Sequence, residues 1–139
     1  MNLFPRSLAG RTAFALGAFA LCMGGYGLIN PPAQIRMMGF APLAVRGAAD
    51  YTGTLMSIVG FATLNTAVLY LVGSIKNWPG FFGLAIWTRL VMGTGLMLLY
   101  INGQAPNTFV GAAIWEWVGA GLIAGAWAWD SRRQRNRKG

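Results

Sequence analysis

Four stretches of the chain run long with little or no charge, and polar breaks separate them. Thr12 to Ile29 and Tyr51 to Ser74 carry no charged residue. Phe81 to Ile101 is apolar apart from Arg89, and Thr108 to Trp129 is apolar apart from Glu116. Crossing about 30 Å of hydrocarbon takes about 20 helical residues, so each stretch is long enough to span. Alternation of period two is absent, which argues against a β-barrel. The pattern predicts an all-α membrane protein, a four-transmembrane-helix bundle with helices over about 12–29, 51–74, 81–101 and 108–129. Residues 1–130 then form one transmembrane domain, and 131–139 form a basic tail.

The breaks have recognisable chemistry. Asn30-Pro31-Pro32 ends the first helix, because proline lacks a donor and restricts the residue before it. From Pro32 to Asp50, Ile35, Met37, Met38 and Phe40 are mixed with Arg36 and Arg46. This mixture predicts an interfacial segment, with a short helix at Ala33 to Met38 and a turn at Gly39 to Pro42. Lys76-Asn77-Trp78-Pro79-Gly80 connects helices two and three tightly. Asn102 to Asn107, with Gly103 and Pro106, links helices three and four. Met1 to Tyr26 has the basic start and apolar run of a signal peptide. The run outlasts a signal core and no AxA-like site follows, so a retained helix is expected.

Composition narrows the chemistry. Of 139 residues, 11 are Lys or Arg, 3 are Asp or Glu, one is Cys and none is His. No imidazole is present to ligate haem or zinc or to act as a base. One Cys allows no intramolecular disulfide and no CxxC redox pair. Three carboxylates cannot build a rich divalent-cation cage, so neither a metal site nor a catalytic set is expected. Cys22 reads as a small hydrophobe inside helix one, and Asp50 as the N-cap of helix two.

Charge also sets orientation. Arg6, Arg11, Lys76, Arg132, Arg133, Arg135, Arg137 and Lys138 fall on one side of a four-span bundle, against Arg36 and Arg46 on the other. The positive-inside rule then places both termini in the cytoplasm. The tail cations Arg132, Arg133, Arg135, Arg137 and Lys138 are expected to contact anionic lipid. Nucleic-acid binding is not indicated, since no folded basic domain accompanies the tail.

Small residues mark the packing faces. Gly121 and Gly125 stand at GxxxG spacing in helix four, and Gly53, Ser57 and Gly60 form a stripe in helix two. Ala13, Gly17, Ala20 and Gly24 do so in helix one. Such faces let backbones approach closely in lipid. Packing inside the bundle is the expected use, and contact with a second copy or another subunit is the alternative. Trp115 and Trp117 read as packing or lipid-facing rings.

Arg89 and Glu116 are the most informative positions, because an intramembrane charge costs about 2.5–3.5 kcal/mol and normally has a partner. At 1.5 Å per residue, Arg89 stands about 14 Å above the start of helix three. Glu116 stands about 21 Å above the end of helix four on the same side. The offset of about 7 Å is within reach of an arginine and a glutamate. Asn65 and Thr66 lie at similar depth, so a polar core of Asn65, Thr66, Arg89 and Glu116 is predicted. The pair reads either as a register-fixing ion pair or as a site for an anionic or polar-headed ligand.

The layout resembles the small four-helix bacterial DoxX-like membrane proteins. The likeness rests on Gly27-Leu28-Ile29-Asn30-Pro31 ending helix one, the Ile35 to Phe40 segment, and Arg46-Gly47-Ala48-Ala49-Asp50 leading into helix two. It covers the first half of the chain. It implies a four-helix bundle in a bacterial cytoplasmic membrane, sometimes an accessory partner of a membrane oxidoreductase, and it carries over no catalytic residues. Small multidrug exporters, with an acidic residue in helix one, fit less well. So do fluoride channels, where this chain has Trp87-Thr88-Arg89-Leu90, and membrane thiol oxidoreductases, which need paired cysteines.

The leading functional expectation is a non-catalytic accessory or assembly subunit packed against a larger membrane complex. The alternative is a small carrier or a lipid- or quinone-binding protein that uses Arg89 and Glu116. A membrane enzyme would have only Glu116 and Asp50 as acid–base candidates. No cofactor is expected beyond a bound lipid or quinone. Expected partners are membrane lipids and other membrane subunits or a second copy.

Overall fold

A computed structural model describes residues 4–41, 47 and 50–136, and these are all helix, turn or connection. The elements are α1 (Leu8–Ile29), α2 (Pro31–Met37), α3 (Thr52–Lys76), α4 (Phe81–Ile101) and α5 (Thr108–Arg135). All but α2 are long and apolar enough to cross a membrane. They expose large side chains such as Ile58, Phe61, Val91, Leu98 and Leu122. A water-soluble monomer does not carry so continuous an apolar surface. The chain is an integral membrane protein built as a helical bundle.

The helix ends follow local chemistry. The first helix starts at Leu8, a turn before the uncharged run, because Ser7 caps it: Ser7 Oγ accepts from Gly10 N–H at 3.0 Å. Arg11 is therefore inside the first turns of α1. Asn30 ends one helix and begins the next. Its N–H donates to the Tyr26 carbonyl at 2.9 Å, and its Oδ1 accepts from Ala33 N–H at 3.2 Å. Pro31 then takes the first position of α2, where its missing N–H costs nothing. The short helix thus covers Pro31–Met37 rather than Ala33 to Met38. Gly39 follows with φ 84°, and Thr108 Oγ1 donates to the Met38 carbonyl at 2.6 Å, which docks this segment on the start of α5.

At the entry to α3, Asp50 Oδ1 accepts from the backbone N–H and the hydroxyl of Thr52. The expected cap is present, placed one residue outside the Tyr51 cap position. Arg46, Ala48, Ala49 and Pro42 lie outside the described residues. Asn77 (φ 49°) and Gly80 (φ 74°) make the left-handed turns joining α3 to α4. The last helix runs past Trp129 through Arg135, so Arg132, Arg133 and Arg135 are helical and not part of a separate tail. Arg137 and Lys138 lie outside the described residues.

Packing is uneven. α1 lies along α3, and α4 along α5, with α1 also touching α5. The sequence neighbours α3 and α4 scarcely meet. Gly17 and Gly24 bring α1 onto α3: a Cβ at Gly24 would stand 3.1 Å from Thr63, and one at Gly17 2.8 Å from Tyr70. Gly60 returns the contact, 2.7 Å from Leu28. Gly53 is only half-buried. Gly121 and Gly125 do not pack within the bundle, since a Cβ at either would meet nothing within 4 Å. The reason is helical phase: Gly119, Ile123 and Ala126 form the buried face of α5, and Gly121 and Gly125 point elsewhere. The buried cluster of Ala9, Ala13, Leu16, Tyr70, Phe82, Ile123 and their neighbours fills the half of the bundle where α1 begins and α5 ends.

Candidate intramembrane binding cleft

Arg89 on α4 and Glu116 on α5 meet, with Nη1 donating to Oε2 at 3.0 Å. The two helices are adjacent and antiparallel, so similar depth suffices to bring the groups together. Arg89 is only 8% exposed. Room for it comes from Gly119, one turn beyond Glu116 on the same face. A Cβ at Gly119 would stand 2.5 Å from Arg89 Nη1 and 3.1 Å from Cζ. The Arg89 side chain therefore lies close against the backbone of α5.

A third contact comes from α3. Arg89 Cζ sits 5.3 Å from the centre of the Tyr70 ring, within cation–π range. The Tyr70 hydroxyl donates to the Ala85 carbonyl at 3.1 Å, one turn before Arg89. Phe81 packs edge-on against the same ring. Tyr70 thus ties α3 to α4 where the two helices otherwise stand apart. Sequence reasoning did not single it out. The signal was available, since Ala62, Thr66 and Tyr70 repeat at four-residue spacing and share a face of α3.

The space between α3 and α4 is a cleft of about 510 Å³, lined by Leu16, Thr66, Tyr70, Thr88, Arg89, Glu116 and neighbours. A second recess of about 400 Å³ shares Thr66, Tyr70 and Thr88 with it and continues to Trp78 and Pro79 in the α3–α4 turn. The two recesses adjoin along the helix gap through these shared residues, and both are mostly apolar, with the ion pair in the wall of the first. Arg89 Nε is buried and has no acceptor among the described residues. A buried donor left unbonded costs about 1–3 kcal/mol, and Nε is closed off from the cleft, so an oxygen would reach it only after the side chain shifts.

The predicted polar core is therefore only partly assembled. Arg89 and Glu116 pair, and Thr66 lines both parts of the groove while its hydroxyl bonds the Ala62 carbonyl. Asn65 does not join them. It lines neither recess, because one residue along a helix turns the side chain by about 100° away from the Thr66 face. Trp117 fills the space beside Gly93, and Trp115 packs at a tilt against Phe19, with 5.2 Å between ring centres. Cys22 is exposed on α1. Asp130, which the sequence left without a role, accepts from Ala9 N–H at 2.9 Å and so holds the end of α5 to the start of α1. No group of His, Cys, Asp or Glu among the described residues is placed to hold a metal ion. No family model, curated protein or solved structure matches this chain.

Proposed function

We propose that this chain is a small membrane binding protein whose α3–α4 groove holds a lipid-soluble amphiphile by an oxygen-bearing head, such as a lipid or a quinone. The observation that carries this reading is Arg89, a cation paired with Glu116 in the wall of an otherwise apolar cleft. The ion pair is neutral overall, so it can sit in hydrocarbon, yet it still offers donors. A carbonyl or carboxylate oxygen would accept from Arg89. The apolar chain would lie along Leu69, Leu84 and Trp78. In the cell, the basic end of the bundle would face the cytoplasm. Purification in mild detergent followed by mass spectrometry of extracted small molecules tests the reading. Enrichment of one amphiphile class supports it, and a profile equal to the bulk membrane lipids contradicts it.

The accessory-subunit reading draws on α5. Gly121 and Gly125 form an open GxxxG face that the bundle itself leaves uncovered. Small residues of this kind admit a second helix at close range. Membership of the DoxX-like group would agree with such a role, and rests on the sequence motifs of the first half alone.

A further inference from the structure

We propose a second binding site, for a phosphate-bearing anion, at the end of the bundle where α1 begins and α5 ends. A recess of about 640 Å³ opens there, and Arg6, Lys76 and Arg133 all line it. These cations come from three separate parts of the chain: the segment before α1, the last residue of α3, and the last turns of α5. Orientation in a membrane requires only that basic residues lie on one side. It does not require that folding gather three of them around one hollow, where an anion would relieve their mutual repulsion.

The remaining groups in the recess fit the same ligand. Among the described residues Asp130 is the one carboxylate on its wall, and its Oδ2 is engaged by Ala9 N–H in the first turn of α1. One carboxylate against three cations leaves an excess of two positive charges. Arg133 has its Cζ over the Trp129 ring at 5.3 Å, a cation–π contact that occupies no N–H acceptor and so leaves its donors for an oxygen. Phe4 also lines the recess and is 72% exposed, which provides an apolar contact beside the charged groups. Trp127 and Trp129 near this end are rings of the kind that settle at a membrane interface, a level where lipid head groups would reach the recess. The chemistry recognised is a phosphate mono- or diester, on an anionic phospholipid or free in solution.

The test uses the full chain in detergent, titrated separately with short-chain phosphatidylglycerol, short-chain phosphatidylcholine and inorganic phosphate, with the thermal unfolding midpoint as readout. A Lys76→Gln/Arg133→Gln variant removes two recess cations. An Arg132→Gln/Arg135→Gln variant removes the same charge from outside the recess and controls for general attraction. The expected result is saturable stabilisation by phosphatidylglycerol and not by phosphatidylcholine, weakened at least tenfold in the recess variant and less than threefold in the control. Stabilisation by inorganic phosphate with the same variant pattern supports the site and identifies a soluble ligand. Equal weakening in both variants, or no saturable effect of either anion on the wild type, overturns the proposal. Circular dichroism of both variants confirms that a lost effect is not lost folding.

Discussion

The guanidinium of Arg89 rests on Gly119 so closely that a single added methyl would stand 2.5 Å from Nη1. Arginine is flexible, but here Glu116 holds one end of the group and Tyr70 faces it from α3. Gly119→Ala should therefore push Arg89 toward the groove. Overpacking of this kind costs about 1–3 kcal/mol. The unfolding midpoint in detergent should fall, and Gly119→Val should lower it further. An unchanged midpoint for both would show that Arg89 has another resting place.

Removing one charge of the pair leaves the other unpaired in hydrocarbon. Arg89→Leu and Glu116→Leu should each destabilise by about 3 kcal/mol, at the lower end for a buried pair because Glu116 is part-exposed. The double substitution should cost less than either single change, since two leucines suit the environment. A double-mutant cycle on unfolding free energies measures this. Additive losses would mean that the two groups do not interact.

Tyr70 makes two separable contributions. Tyr70→Phe removes the bond to the Ala85 carbonyl and keeps a ring over Arg89. It should cost about 1 kcal/mol. Tyr70→Leu removes the ring as well and should cost at least about 1 kcal/mol more. Equal effects of the two substitutions would assign all of the contribution to the hydroxyl.

Asp130 closes the bundle by capping the first turn of a helix that begins far away in sequence. Asp130→Ala frees Ala9 N–H and removes a negative charge from the positive end of α1. Loss of a cap costs about 1 kcal/mol. Hydrogen exchange should rise at residues 8–10 before it rises elsewhere in α1. Unchanged protection there would contradict a capping role.

The outward glycines behave in the opposite way. Gly121→Ala and Gly125→Ala meet open space, and each should stabilise the isolated chain by up to about 1 kcal/mol through helix propensity. If another helix packs on this face, Gly121→Leu should abolish its co-purification without lowering the unfolding midpoint. A fall in the midpoint would place the face inside the fold after all.

These contrasts show where sequence reasoning reaches and where it stops. The spans were legible because burial in lipid forbids charge, and the chain keeps charge out of them. Their ends were less so. Arg11 interrupted the apolar run although the Ser7 cap starts α1 before it, and Ser131 to Arg135 continued α5 because arginine and glutamine are good helix formers. The Arg89–Glu116 pair was legible from depth, which is fixed by counting residues from each helix end. Asn65 falls outside the polar cluster, and the bundle leaves Gly121 and Gly125 uncovered, because depth and spacing do not give phase relative to the core. The groove itself was not legible. It exists because α3 and α4, neighbours in sequence, pack on other partners, and pairing preferences among apolar helices are spread over many small contacts.

The most direct test of the groove as a ligand site is a binding titration with a brominated long-chain carboxylate. Quenching of Trp87, which lines the groove beside Arg89, reports occupancy in a variant whose other tryptophans are replaced by phenylalanine. Saturable quenching is predicted with Arg89 and Glu116 present. It should weaken at least tenfold in the Arg89→Leu/Glu116→Leu double variant, although that variant stays folded. Equal quenching curves for the two proteins would contradict the account and leave the ion pair as a packing element alone.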